Sequence, residues 1–219
     1  MTAPGPLSRP TDGPLADEVD PRPVLQHEVL MRGHIIDVVR DEVDLGDAGV
    51  VTREYVDHPG AVAIVALDEQ DRVLLLRQYR HPVRSFLWEV PAGLLDVDGE
   101  KAVTAAAREL GEEADLTAER WSVLTDYATT PGSSNEAVRV FLARGLAPVP
   151  EADRHVRTGE EAGMQPRWVP LDEAVARALD GSLHNPSTVV GILAAAASRA
   201  GGWASLRPAD APWPSRPGA

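Results

Sequence analysis

Residues 91–116 read PAGLLDVDGEKAVTAAARELGEEADL, and four carboxylates dominate them: Glu100, Glu109, Glu112 and Glu113. Glu109 precedes Glu112 by three residues and Glu113 by four, spacings that put all three on one helix face. Like charges so placed weaken a bare helix, and a bound cation removes that penalty. Val103, Ala106, Ala107, Leu110 and Ala114 form an adjacent apolar stripe that predicts a buried face. The alanines of 102–107 favour the helix, and Asp98 is placed to cap its start. Arg108 lies beside the acids, where it can pair with one and fix its orientation.

Such a cluster taken alone is a solvated acidic surface. The order of residues says more. Gly93 is followed by six residues, Glu100, seven residues, and then Arg-Glu-Leu-Gly-Glu-Glu. This closely resembles the Nudix box, G-x5-E-x7-R-E-U-x-E-E-x-G-U with U apolar, and the segment from Glu100 to Glu113 matches at every fixed position. There are two departures. One extra residue lies between Gly93 and Glu100, in the loop before the helix, where it should bulge outward. Asp115 stands where the box has its second glycine, at the helix C-terminus.

The 219 residues are 43% hydrophobic and 25% charged, an ordinary composition for a globular domain. The formal net charge of −13 argues against nonspecific binding to nucleic acid or anionic membranes. It also repels an anionic substrate, so a phosphate ligand needs metal ions and placed arginines. There is no cysteine, which excludes disulfides and thiolate metal sites. No apolar run has the length of a membrane helix and no signal core is visible, so the cytoplasm is the expected location.

Residues 1–23 hold six of the 19 prolines, and residues 201–219 hold four more. Both read as poorly ordered tails, although Trp203 and Trp213 could anchor the second. Between them, β-branched residues predict strands from Val24 to about Leu45 and from Val50 to His58. Ala61–Leu67 and Arg72–Gln78 flank the turn DEQD as a hairpin, followed by a short strand at Leu87–Val90. After the acidic helix, Trp121–Ala128 and Ala137–Ala143 read as strands around the loop Thr129–Glu136. A long loop runs from about Pro148 to Gln165. A short strand at Arg167–Val169, a helix over Leu171–Leu179 and a final helix from Asn185-Pro186 to about Ala200 complete the chain. This is an α+β order, and with the resemblance it implies a Nudix fold: mixed β-sheets sandwiched between helices (α/β/α), with an N-terminal β-rich region. The expected division is a tail at 1–23, a β-region at 24–57, a Nudix hydrolase domain at 58–200 and a C-terminal tail at 201–219.

The acid cluster suits Mg²⁺ or Mn²⁺, hard cations that prefer oxygen ligands. The resemblance implies Glu109 and Glu113 as direct ligands, Glu112 as a ligand directly or at one remove, and the carbonyl of Ala92 as a further donor. Gly93, Glu100 and Arg108 would support them. The general base should lie outside the box. In ADP-ribose pyrophosphatases of this family it is a glutamate in the long loop that here contains Thr158-Gly159-Glu160-Glu161-Ala162-Gly163, so Glu160 or Glu161 is the candidate. Pro131, fifteen residues after Leu116, resembles the proline that marks the ADP-ribose subgroup. Pro131, Gly132, Glu136 and Arg80 are therefore the candidate substrate contacts, with Arg80 suited to phosphate or adenine. Glu89 is a plausible supporting acid, Trp88 a packing residue, and His34, His58 and His184 structural. The resemblance implies a nucleoside diphosphate sugar as substrate and a homodimer in which the 24–57 strands reach the partner's site.

Overall fold

The computed structural model describes residues 14–157 and 163–216. Residues 14–23 carry no regular structure and are exposed. Three strands then form a sheet of their own: β1 (Val24–Arg32), β2 (Asp37–Asp44) and β3 (Val50–Asp57), in the order β1-β2-β3. The run expected to be strand from Val24 to Leu45 is thus broken. A Cβ on Gly33 would stand 2.1 Å from the Ile36 carbonyl oxygen, so the chain turns there because glycine permits it.

The next strands are β4 (Ala61–Ala66), β5 (Arg72–Arg80), β6 (Ser85–Glu89) and β7 (Ala92–Leu94). Helix α1 (Ala102–Ala114) is followed by β8 (Leu116–Ala128), β9 (Ala137–Pro148), β10 (Gln165–Pro170), α2 (Leu171–Leu179), α3 (Pro186–Ala200) and the two-residue β11 (Arg207–Pro208). They build a five-stranded sheet, β11-β8-β9-β4-β7, and a three-stranded sheet, β10-β5-β6. The β4–β9 pair is parallel and its neighbours are antiparallel, which makes the larger sheet mixed.

Strand β4 explains the layering. Its AVAIVA run has no polar face because both faces are covered. Val62, Ile64 and Ala66 join the cluster that holds Ala105, Ala106 and Leu110 of α1. Ala63 and Val65 join Leu171 and Ala174 of α2 and Ile192 and Ala195 of α3. A Cβ on Gly191 would meet Val65 Cγ2 at 2.9 Å, so glycine lets α3 lie close on the sheet. The start of α3 is as expected: the Asn185 side chain accepts from the Thr188 N–H, with Pro186 in the first turn.

Three local expectations change. Asp98 does not cap α1, because Gly99 takes a left-handed turn (φ 73°) and the helix starts after Lys101, which makes no side-chain cap. The buried stripe of α1 includes Ala105, while Ala107 faces solvent. The segment read as an unordered C-terminal tail packs on the core through residue 216. Arg207 pairs with Val123 of β8, and the Arg139 guanidinium donates to the carbonyls of Ala211 (2.6 Å) and Pro212 (3.0 Å). Trp213 covers that guanidinium at 4.7 Å from the ring centre, and Trp203 lies 4.8 Å from the Arg144 guanidinium. A buried arginine needs acceptors, and the proline-rich segment offers carbonyls that no helix or strand consumes.

Candidate active site

The site forms where β7 meets α1. A Cβ on Gly93 would lie 2.0 Å from Glu109 Cδ and 2.1 Å from Oε1. The missing side chain is the space the Glu109 carboxylate occupies. One turn along, the Ala92 N–H donates to Glu113 Oε2 at 2.9 Å. Two carboxylates of one helix face are thereby held against the backbone of one short strand.

Arg108 stands among the other acids. It donates to Glu109 (2.7 Å) and Glu112 (3.1 Å) through one terminal nitrogen, and to both oxygens of Glu100 (3.2 and 3.3 Å). Hydrogen bonding to Glu100, and next the charge of Glu109, raise the Arg108 pKa against the opposing effect of burial. Three carboxylates bind one guanidinium and Glu113 stands beside them, so the four acids and one arginine leave a surplus of three negative charges. Among the described residues no three His, Cys, Asp or Glu side chains form a metal-holding group. One Arg108 nitrogen binds both Glu109 and Glu112 and so brings these two carboxylates together. The donor set still suits a hard divalent cation, being all oxygen and excess negative. Glu109 and Glu113 against the Ala92–Gly93 backbone are the residues that would hold it.

Arg80 lies beside this centre. Its Nε and Nη2 bind both oxygens of Glu89 at 2.6–3.2 Å, and Glu89 is buried at 4% exposure. A small notch lined by Gln78, Arg80, Glu89, Ala92 and Glu113 brings the expected arginine and the expected metal acids together. Trp88, next in sequence to Glu89, packs into the core cluster on the α2–α3 side.

Pro131 and Gly132 line a different cleft, of about 410 Å³, together with Asp41, Arg53, Tyr55 and Asn135. The 130–135 loop is laced to β3. Val56 N–H donates to the Ser133 carbonyl, Asn135 Nδ2 to Asp57, and His58 N–H to Asn135 Oδ1. Glu136 accepts from the Thr129 hydroxyl at 2.7 Å and faces His58 Nε2 at 3.7 Å. His58, expected to be merely structural, therefore has a carboxylate partner. Glu160 and Glu161 lie outside the described residues. Arg157, just before them in sequence, donates to the Glu112 carbonyl (2.9 Å) and to Asp115 (2.6 Å) at the end of α1.

Sequence reasoning missed one cluster entirely. Asp41, 7% exposed, binds His27 Nδ1 at 2.6 Å and accepts from the Tyr55 hydroxyl at 3.0 Å. Burial first, and then Asp41, push the Tyr55 pKa from 10.0 up to about 12. The only available signal was alternation: Val39, Asp41 and Val43 share one face of β2.

With this geometry in view, relatives can be compared. The NUDIX domain model matches residues 57–188. An ADP-ribose pyrophosphatase of Mycobacterium tuberculosis (strain ATCC 25618 / H37Rv) is 46% identical over 193 residues, which covers 88% of this chain and 91% of that protein. A methanol dehydrogenase activator of Bacillus methanolicus is 30% identical over 168 residues, covering 77% and 89%. A solved structure of an ADP compounds hydrolase superposes with a TM-score of 0.65 over 85% of this chain and 98% of that one. Its 21% identity makes it a likeness of fold alone.

Proposed function

Since this chain belongs to the NUDIX family and is a Nudix hydrolase, we propose that it splits ADP-ribose into AMP and ribose 5-phosphate with Mg²⁺ or Mn²⁺. The carrying observation is the pairing of Glu109 with Gly93 and of Glu113 with the Ala92 N–H, which fixes two carboxylates beside the Arg80–Glu89 pair. The ADP-ribose pyrophosphatase from M. tuberculosis, aligned over most of both chains, supports the choice of substrate.

Each group has a task in this reading. A divalent cation on Glu109 and Glu113, with Glu112 and the Ala92 carbonyl as further donors, would neutralise charge on the diphosphate oxygens and acidify water. Arg80, held rigid by Glu89, presents a guanidinium edge to a phosphate. Glu160 or Glu161 takes the proton from the attacking water. The water oxygen bonds to one phosphorus, and the bridging oxygen leaves with the other phosphate. Arg108 and Glu100 keep the acid-bearing face from collapsing under its own repulsion. Pro131, Gly132 and Glu136 shape the substrate's surroundings.

The same reading includes a homodimer. The β1–β3 sheet exposes Val24, Leu25, Met31 and Val50, and its first turn Ile35, each more than half exposed. Water-facing apolar groups on one small sheet suit burial against a second copy. Sedimentation should give about twice the 23.5 kDa of one chain, and a monomer at micromolar concentration would remove this part.

The direct experiment mixes the protein, ADP-ribose and Mg²⁺ and separates the products. AMP and ribose 5-phosphate in equal amounts are expected, with loss of turnover in chelator. Other nucleoside diphosphate sugars and dinucleotides, run in parallel, rank by kcat/KM. If one of them exceeds ADP-ribose, the substrate assignment changes. If no phosphoanhydride is cut, the proposal fails.

A further inference from the structure

A cleft of about 480 Å³ opens where residues 209–216 pass the start of α1. Its charged walls are Lys101, Arg139 and Arg216, with one acid, Asp210. Three cations around one acid run against the net charge of −13. Lys101 is the only lysine in the sequence. Neither its side chain nor that of Arg216 has a hydrogen bond or ion pair among the described residues. Arg139, 3% exposed, acts through the wall by its charge. It shares the single carboxylate of Asp126 with Arg207, so that group also carries one positive charge in excess.

Further donors in the same walls lack acceptors. Helix α1 begins here with no side-chain cap and no acid in its first turn, so the N–H groups of Ala102 and Val103 find no partner within the helix. Trp213 also lines the cleft, and its Nε1 is buried with no hydrogen-bond partner among the described residues. A buried donor is costly to leave unpaired. Free cations, helix-start N–H groups and an orphan indole N–H have one complement in common, an oxyanion. The rest of the wall is apolar, formed by Val103, Ala209, Ala211 and Pro212, and suits a small organic body.

We infer that this cleft binds a phosphate dianion, free or as the head of a small monoester, with Lys101 and Arg216 as its ion-pair partners. None of its walls belongs to the candidate active site, so the inference does not rest on the hydrolase reading.

The single lysine makes the site directly visible. Reductive methylation with ¹³C-formaldehyde keeps the charge and gives one dimethyl-lysine signal, with the α-amino group as a separate internal control. Inorganic phosphate, added at constant ionic strength with chelator present, should shift the Lys101 signal saturably. Half-saturation should fall on the order of 1 mM or below, with the α-amino signal unmoved. Arg216→Gln should raise half-saturation about tenfold, the loss of one charge-assisted contact. Trp213→Phe keeps a ring, removes the N–H and should raise it about threefold. AMP and ribose 5-phosphate separate the sources: tighter binding than phosphate assigns the cleft to a monoester, equal or weaker binding to the free ion. Adenosine should leave the signal in place, and a shift with adenosine overturns recognition of the phosphate. A shift that stays linear to about 20 mM phosphate, is reproduced by chloride, or is unchanged by Arg216→Gln overturns the site. Phosphate should also raise the Tm of the wild type more than that of Arg216→Gln, by mass action on the folded state. Equal Tm shifts overturn the assignment to this cleft. No readout needs turnover, so an inactive enzyme sinks the hydrolase reading and leaves this one to be judged by its own titration.

Discussion

Two arginines of this molecule sit among carboxylates, and they do opposite things. Arg108 has three acidic partners and is a third exposed; with Glu113 beside them, its neighbourhood keeps a surplus of negative charge. Arg139 is 3% exposed and shares Asp126 with Arg207, while two carbonyls and the Trp213 ring take up the rest of its surface. The first cluster is open and keeps excess negative charge; in the second a buried guanidinium is met by one carboxylate and two carbonyls and is sealed. Unbalanced charge at a helix–strand junction is costly to keep unless a ligand neutralises it. A guanidinium supplied with acceptors under a tryptophan holds a segment in place. The same pair of residue types therefore builds a site in one place and a clasp in the other.

The largest expected effect tests the open cluster. Glu113→Gln keeps an acceptor for the Ala92 N–H but removes a charge. It should lower kcat by about 10²- to 10³-fold, the scale seen when one preorganised electrostatic group is lost, with far-ultraviolet dichroism unchanged. Mg²⁺ should raise the Tm of the wild type by mass action and do less for the variant. A variant with full turnover and a full Mg²⁺ shift would show that the surplus is surface charge after all.

The sealed cluster should respond in stability instead. Arg139→Met leaves Asp126 with Arg207 alone and two carbonyls unpaired, which should cost about 3 kcal/mol. Thermal unfolding should drop by roughly 6–12 °C, with turnover per folded molecule retained. Arg108→Met, on the open side, should cost less than Arg139→Met, because the Arg108 side chain is 32% exposed against 3% for Arg139 and is screened by water. Equal losses from the two substitutions would erase the distinction. Trp213→Ala comes next. It strips the lid from Arg139 and should cost about 1–2 kcal/mol, again with activity preserved.

How much of this was legible beforehand follows from the range of the forces. The α1 acids, Gly93 and the capped start of α3 were readable because each is a local pattern, set by helical spacing or a first-turn hydrogen bond. Strand β4 was readable from its unbroken apolar run. The start of α1 was misjudged because an aspartate-glycine pair fits either a cap or a turn, and Gly99 took the turn. Trp203 and Trp213 marked possible anchors of the last segment, but the clasp partner Arg139 was not legible, because proline-rich composition reports only local disorder. Arg139 and Ala211 are 72 positions apart. Arg108 was expected to help one carboxylate, and its grip on three needed the fold of the 95–101 loop to bring Glu100 back to it.

A third buried carboxylate sharpens the comparison with the smallest effect. Asp41 is held by His27 and the Tyr55 hydroxyl, with no arginine bonded to it among the described residues. The Tyr55 hydroxyl is a neutral donor with a raised pKa, so its contribution is lost as the pH rises. Below pH 10 Tyr55 is protonated in both folded and unfolded chains, and its contribution is fully present. Between pH 10 and about 12 the unfolded chain loses the proton while the folded one keeps it, so stability falls. By about pH 12 the contribution is gone. Tyr55→Phe should be slightly less stable at neutral pH and should lose less than the wild type between pH 9 and 11. Tyr127, whose pKa burial also raises, adds the same downward slope to both proteins and cancels in the difference. Urea midpoints at the two pH values decide the matter. Identical slopes would mean that Asp41 does not hold the Tyr55 proton, and that the sealed type of cluster is confined to the clasp around Arg139.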